Sequence, residues 1–261
     1  VAGSIAWAVV AVLAVAPLIL VAVQAVTSQW FFPDLVPDRW STETLTQVAS
    51  ASDTARALRD SLMLSSLATV VSLLLAVPAA RALAFTPDRR RAVIGAAVLA
   101  PLTLPPVAVA MGLNVAFLRV GLDGGIVPVV LAHQMVTLPY AVLIMWAALT
   151  RYDPAFERQA MLLGASPQRV VAQVFVPLAA SALLVTAAIT FVVWGGQYLL
   201  TLLPGGGRLL TLPVLVLNAA NGGNPTAGAT LALIAAIPPA LAILLVVRRL
   251  TAPNGPGMTR S

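Results

Sequence analysis

Six times along this chain of 261 residues an apolar run is long enough to cross a bilayer, and no other feature narrows the fold as far. Roughly 30 Å of hydrocarbon takes about 20 residues of α-helix. The runs fall at about 4–26, 60–84, 92–118, 126–149, 178–203 and 228–247. With 60% hydrophobic and only 9% charged residues, and a mean hydropathy of +0.96, the chain has too few charges to solvate a globule. The expected fold is all-α: one polytopic transmembrane helical bundle over residues 1–261. The first run is too long for a signal-peptide core and has no clear small-residue cleavage site, so it is expected to stay as a span.

Charge reports orientation. All fifteen cationic side chains are Arg, and the net charge is +6. In a soluble protein that excess would suggest nucleic acid, but here the Arg residues gather at span ends, so no nucleic-acid partner is expected. Alternate connections carry ten Arg on one side, among them Arg81, Arg89, Arg90, Arg91, Arg248, Arg249 and Arg260, against five on the other. The positive-inside rule then puts 85–91, 150–177 and the C-terminus in the cytoplasm. An even span count adds the N-terminus. The absence of Cys excludes disulfides and thiolate metal sites.

Several spans carry features that plain anchors do not need. Pro101, Pro105 and Pro106 remove backbone donors and should kink or break the third span. Either neighbouring helices or a wet cavity must then satisfy the freed carbonyls. Asn114, His133, Gln134, Trp194, Gln197 and Tyr198 place polar groups at or near membrane depth, as packing hydrogen bonds or as contacts along a solute path. The adjacent Gly195 and Gly196 weaken the fifth span by roughly 1 kcal/mol each relative to Ala. Asn218, Asn221 and Asn224 lie in a Gly-rich connection, 204–227, where turn chemistry accounts for them.

The long polar interval 150–177 is the most regular of the connections. Asp153-Pro154 is a helix start, with Asp as N-cap. The first helix should run from Pro154 to Leu163 and end at a left-handed Gly164. Ser166-Pro167 repeats the start signal for a second helix that closes near Pro177. Phe156, Ala160 and Leu163, then Val170, Val174 and Pro177, recur at helical spacing, which leaves Glu157, Arg158, Gln168 and Arg169 outward. Such a knob could pass rigid-body motion from a partner. The alternative is a helix pair lying on lipid headgroups.

The stretch from Ala160 through Gly164 to Val174-Phe175-Val176-Pro177 resembles the coupling-loop signature of the type I ABC-importer permeases: Glu-Ala-Ala, three residues, Gly, nine residues, Ile, one residue, Leu-Pro. Aligned on Gly164, Ala160 stands at the second Ala, Val174 at Ile, Val176 at Leu and Pro177 at Pro. Arg158 stands where the family has Glu and Gln159 where it has Ala, while Glu157 sits one position early. The similarity extends to Asp60-Ser61-Leu62, Leu131-Ala132-His133, Leu138-Pro139-Tyr140 and Arg248-Arg249-Leu250. Leu163 before Gly164, with the span-four pattern, is closest in look to the spermidine/putrescine type.

The resemblance implies a permease subunit of an ATP-driven importer in a bacterial inner membrane. Its partners would be a second permease subunit, an ATP-binding subunit dimer and an extracytoplasmic solute-binding protein. ATP and Mg would be bound by the ATPase, and no cofactor or metal by this chain, which has no Walker-type loop. Glu157, Arg158, Ala160, Gly164, Ala165, Ser166, Arg169 and Pro177 would couple to the ATPase. Asn114, His133, Trp194, Gln197 and Tyr198 would face the path, and the cargo would be polyamine-like. Other readings are a channel or secondary transporter, and an integral-membrane enzyme. The enzyme would need a nucleophile–base pair or metal ligands, and the single His and lack of Cys argue against it, leaving no catalytic residue to name.

Overall fold

The computed structural model describes residues 2–30, 37 and 39–251; Arg260, read above as a tail charge, lies outside the described residues. Helix α1 (Ala2–Ala25) leads into a two-stranded antiparallel hairpin of β1 (Thr27–Gln29) and β2 (Arg39–Trp40), in register Thr27 with Trp40. Then follow α2 (Glu43–Ser50), α3 (Ser52–Phe85), α4 (Asp88–Leu99), a 3₁₀ turn (Ala100–Thr103) and α5 (Pro106–Arg119). After α6 (Ile126–Leu149) come the loop helices α7 (Ala155–Leu162) and α8 (Pro167–Val170), a π turn (Val171–Phe175) and α9 (Val176–Leu178). The chain continues with α10 (Ala180–Trp194), α11 (Leu199–Leu202), α12 (Leu212–Asn221) and α13 (Pro225–Thr251).

Helices α3, α6 and α13 are each long and apolar enough to cross a membrane. Two further apolar helix pairs, at the third and fifth expected spans, are sharply bent. The third turns through 99° at Leu104-Pro105, as its prolines require: the N–H of Leu104 reaches only back to Pro101 O at 3.3 Å, and Pro105 and Pro106 donate nothing. The fifth departs from the continuous 178–203 expected. α10 meets α9 at 76° just after Pro177, and it stops at Trp194. Beyond Trp194 the N–H groups of Gly195, Gly196 and Gln197 each reach back three residues, to Val192, Val193 and Trp194. Three-residue turns of this kind tighten a helix end. The remainder of the expected span is the short α11.

The chain forms two compact units, with the division falling inside α3 and again inside α13. In the unit made of Val1–Met63 and Gly207–Pro238, Ala57, Leu212 and Leu231 form the buried core. Ser61 Oγ accepts the Leu212 N–H at 2.8 Å, which satisfies an orphan donor at the start of α12. Thr226 Oγ1 donates to Thr27 O at 3.0 Å and accepts from Gln24 Nε2 at 3.4 Å, tying α1 and the hairpin to α13. Asn224 Oδ1 accepts the Ala227 N–H at 2.9 Å and so opens α13, in keeping with its turn chemistry. Asn218 and Asn221 instead lie within α12, a helix that was expected to be loop.

In the unit made of Leu64–Gly206 and Pro239–Ser261, α6 is the central element, with buried residues along its whole length. Small residues of α3, Ala76 and Ala80, let it pack against Ala141, Val142, Met145 and Leu149. Between these helices Ser72 Oγ donates to Gln134 Oε1 at 2.8 Å and lies 2.9 Å from Thr137 Oγ1. Gln134 Nε2 donates to the carbonyls of Val130 and Ala68. A buried amide in hydrocarbon requires such partners, and here every group of Gln134 has one.

Candidate functional site

The 150–177 loop is built much as its punctuation dictates. Asp153 Oδ1 accepts the Ala155 N–H at 2.8 Å and starts α7. At the other end Ala165 N–H reaches Ala160 O at 3.0 Å and Gly164 N–H reaches Met161 O at 3.0 Å, the two bonds of a Schellman motif. Gly164 closes it with φ +88°, the left-handed conformation expected. Pro167 opens α8, with Ser166 extended before it but making no capping bond through its hydroxyl.

Which side of α7 faces inward is the reverse of the periodicity argument. Glu157, expected outward, is only 9% exposed, whereas Phe156 is exposed and Leu162 and Leu163 are 87% and 89% exposed. The reason lies on α3. The Arg81 guanidinium donates to both Glu157 oxygens, Nη1 to Oε1 at 2.8 Å and Nη2 to Oε2 at 2.9 Å. Tyr152 OH adds a third bond to Oε1 at 2.7 Å. Arg81 also lies over the Phe175 ring, 5.0 Å from its centre, and Tyr152 meets that ring edge-on at 5.7 Å. A fixed cation and a hydroxyl thus outweigh hydrophobic spacing on a helix of only eight residues. Arg81 holds the Glu157 carboxyl below its ordinary range, with Tyr152 assisting and burial opposing. Burial, then the bond to Glu157, pushes the Tyr152 phenol up to about 12.

The other expected loop residues divide by exposure. Arg158, Gly164, Ser166, Arg169 and Pro177 are exposed, and Ala160 and Ala165 half-buried, while Val170 and Phe175 are buried. The outer surface of the loop is therefore an apolar tip, Leu162-Leu163, flanked by Arg158 and Arg169.

A second cluster gathers three of the five expected path residues. His133 on α6 is fully buried, stacks on Trp194 at 5.2 Å between ring centres, and places Nε2 3.0 Å from Thr201 Oγ1. Thr201 in turn donates to Gln197 O at 3.1 Å. The turn after α11 comes close because residue 205 is Gly: a Cβ there would overlap the Thr201 carbonyl oxygen. Trp194 is 2% exposed, Gln197 and Tyr198 half-buried. Asn114 is half-buried on α5, and no bond joins it to this cluster. Thr201 was missed from the sequence, since one Thr in an apolar run carries no signal until its helix position is known.

Bent apolar helices around polar pairs, with a structured loop between them, define a multi-pass membrane protein. The chain belongs to the family of binding-protein-dependent transport system inner membrane components, whose model matches residues 72–254. Among its relatives are the molybdenum transport system permease protein ModB of Mycobacterium tuberculosis, 33% identical over 69% of this chain and 74% of that one. Another is the putative 2-aminoethylphosphonate transport system permease protein PhnU of Salmonella typhi, 26% identical over 68% of each. The fold matches a bacterial ABC transporter that imports the acidic polysaccharide alginate, with TM-score 0.67 at 15% identity over 96% of this chain and 95% of that one. The chain is thus a type I ABC-importer permease subunit of the inner membrane, a transport protein and not an enzyme.

Proposed function

We propose that this subunit forms half of a solute path and receives the power stroke of a cytoplasmic ATPase through residues 150–177. The observation that carries this reading is the loop's exposed Leu162-Leu163 tip, set on a Schellman turn and braced by Glu157 and Arg81. Large apolar side chains grouped on such a surface mark a contact with a partner. A second permease subunit would complete the path, an ATP-binding dimer would hold ATP and Mg, and a solute-binding protein would deliver cargo from outside. The arginine distribution supports cytoplasmic termini and a cytoplasmic loop. Alternating access would follow from rocking of the spans as the loops of the two subunits approach and separate.

For the cargo, a small oxyanion fits better than the polyamine first expected. The names of the relatives point to molybdenum, an oxyanion in aerated water, and to a phosphonate. The residues first expected along the path, Asn114, His133, Trp194, Gln197 and Tyr198, include no carboxylate to balance a polycation. Uptake into proteoliposomes of the full complex tests both parts. ATP-dependent accumulation of molybdate or a phosphonate, without competition from spermidine, is the expected result. Uptake that persists without ATP hydrolysis would make the protein a channel or secondary transporter, and spermidine accumulation would restore the polyamine reading.

A further inference from the structure

Three consecutive parts of the loop region converge on one side chain of α3. Tyr152 follows α6, Glu157 lies in α7 and Phe175 ends the π turn, and each touches either Arg81 or its partner carboxylate. Arg81 sits within the last turns of a 34-residue helix, just after Pro78, so displacement of its guanidinium acts on that end of α3. A bidentate guanidinium–carboxylate pair fixes angle as well as distance, which a single ammonium bond does not. The ring of Phe175 then closes the side of the guanidinium that Glu157 leaves open. Immediately beside this buried anchor stands the exposed Arg158, so one turn of α7 faces both ways.

From this geometry we infer that Arg81 is a positioning residue through which movement of the 150–177 loop is delivered to α3, and that Glu157 works inward as the loop's anchor and not as an ATPase contact. The inference rests on the coupling role proposed for that loop. The side of α7 that meets the partner is then formed by Arg158, Leu162 and Leu163, and the acid one residue before Arg158 belongs to the transmission. Without the bidentate pair the loop would still be bound and moved, but α7 would pivot about its own ends before α3 responded.

The test is the number of solute molecules moved per ATP hydrolysed by the complete reconstituted importer, with ATPase co-purification measured alongside. For Glu157→Gln and Arg81→Lys we expect the ATPase to remain with the permease while solute per ATP falls about tenfold, in the range of ordinary coupling between sites. Tyr152→Phe, which removes one bond and no charge, should give a smaller fall. The exchanged pair Arg81→Glu with Glu157→Arg should recover part of the ratio, a recovery that simple loss of folded protein would not give. If Glu157→Gln does not accumulate in the membrane, Arg81→Lys and Tyr152→Phe read the same ratio. An unchanged ratio in all of these, or loss of the ATPase from an inserted and stable Glu157→Gln permease, overturns the inference. If the unaltered permease retains no ATPase, the coupling role itself is wrong.

Discussion

The imidazole Nε2 of His133 on α6 lies 3.0 Å from the Thr201 hydroxyl on α11, joining α6 to the short helix that follows the glycine break ending α10. With the Thr201 proton given to the Gln197 carbonyl, the imidazole is the donor in that pair. Thr201→Val keeps the shape and leaves a buried N–H without its acceptor, a loss of about 1–3 kcal/mol. The detergent-solubilised protein should melt at a lower temperature, while Thr201→Ser should stay close to the parent. Equal melting of Thr201→Val and the parent would mean that the pair contributes nothing.

Gly164 gives a separate prediction, because its constraint is conformational and not steric. A Cβ added there meets nothing within 4 Å, yet the φ of +88° disfavours any L side chain by roughly 1–2 kcal/mol. Gly164→Val should therefore leave the permease inserted while transport and ATPase association fail. Gly164→Asn should be milder than Gly164→Val, since Asn visits the left-handed region more readily. Full transport by the Val variant would contradict the requirement for that turn.

Acid should release the anchor at a pH lower than ordinary carboxylates allow. The Glu157 carboxyl titrates below its usual value of 4.5, chiefly through its bonds to Arg81. A depressed carboxyl stabilises the fold fully above the unfolded pKa, and loses that contribution as pH falls through the folded one. The difference in melting between the parent and Glu157→Gln, about 1 kcal/mol for a pair partly screened by solvent, should be constant from neutral pH down to the ordinary carboxylate range and vanish only below it. Melting curves that already converge at about pH 6, well above the ordinary carboxylate range, would rule this out.

Exposure sharpens the question of the path. The chain has no Cys, so single substitutions can be labelled without background. Trp194 is buried against His133, whereas Gln197 and Tyr198 are half-buried beyond the break. Cys at 197 and 198 should react with a membrane-impermeant thiol reagent in one of the ATP-free and ATP-trapped states and not in the other, and Cys at 194 in neither. If 197 and 198 stay unreactive in both states, they do not line an alternating path.

How far the sequence carries depends on how local the cause is. Apolar length alone locates α3, α6 and α13, and Pro and Gly punctuation marks the Pro105 bend, the Gly164 turn and the start at Asp153. These are properties of a few adjacent residues. The inward turn of Glu157 depends on Arg81, 76 residues away, so no pattern within the loop could reveal it. The break after Trp194 was visible as two glycines, but not that α11 would fold back to place Thr201 beside His133. Helix α12 was hidden because Gly, Pro and Asn around it read as loop.

The central claim is that the exposed tip of the 150–177 loop seats in an ATPase and not among lipid headgroups. Cys replacing Leu162, 87% exposed in the parent, should cross-link to a cysteine-scanned ATPase subunit expressed with the permease. We predict a specific adduct whose yield differs between ATP-free and ATP-trapped complexes, with little reaction toward a lipid-phase thiol reagent. No adduct to the ATPase in either state, together with ready labelling from the lipid phase, would contradict the account.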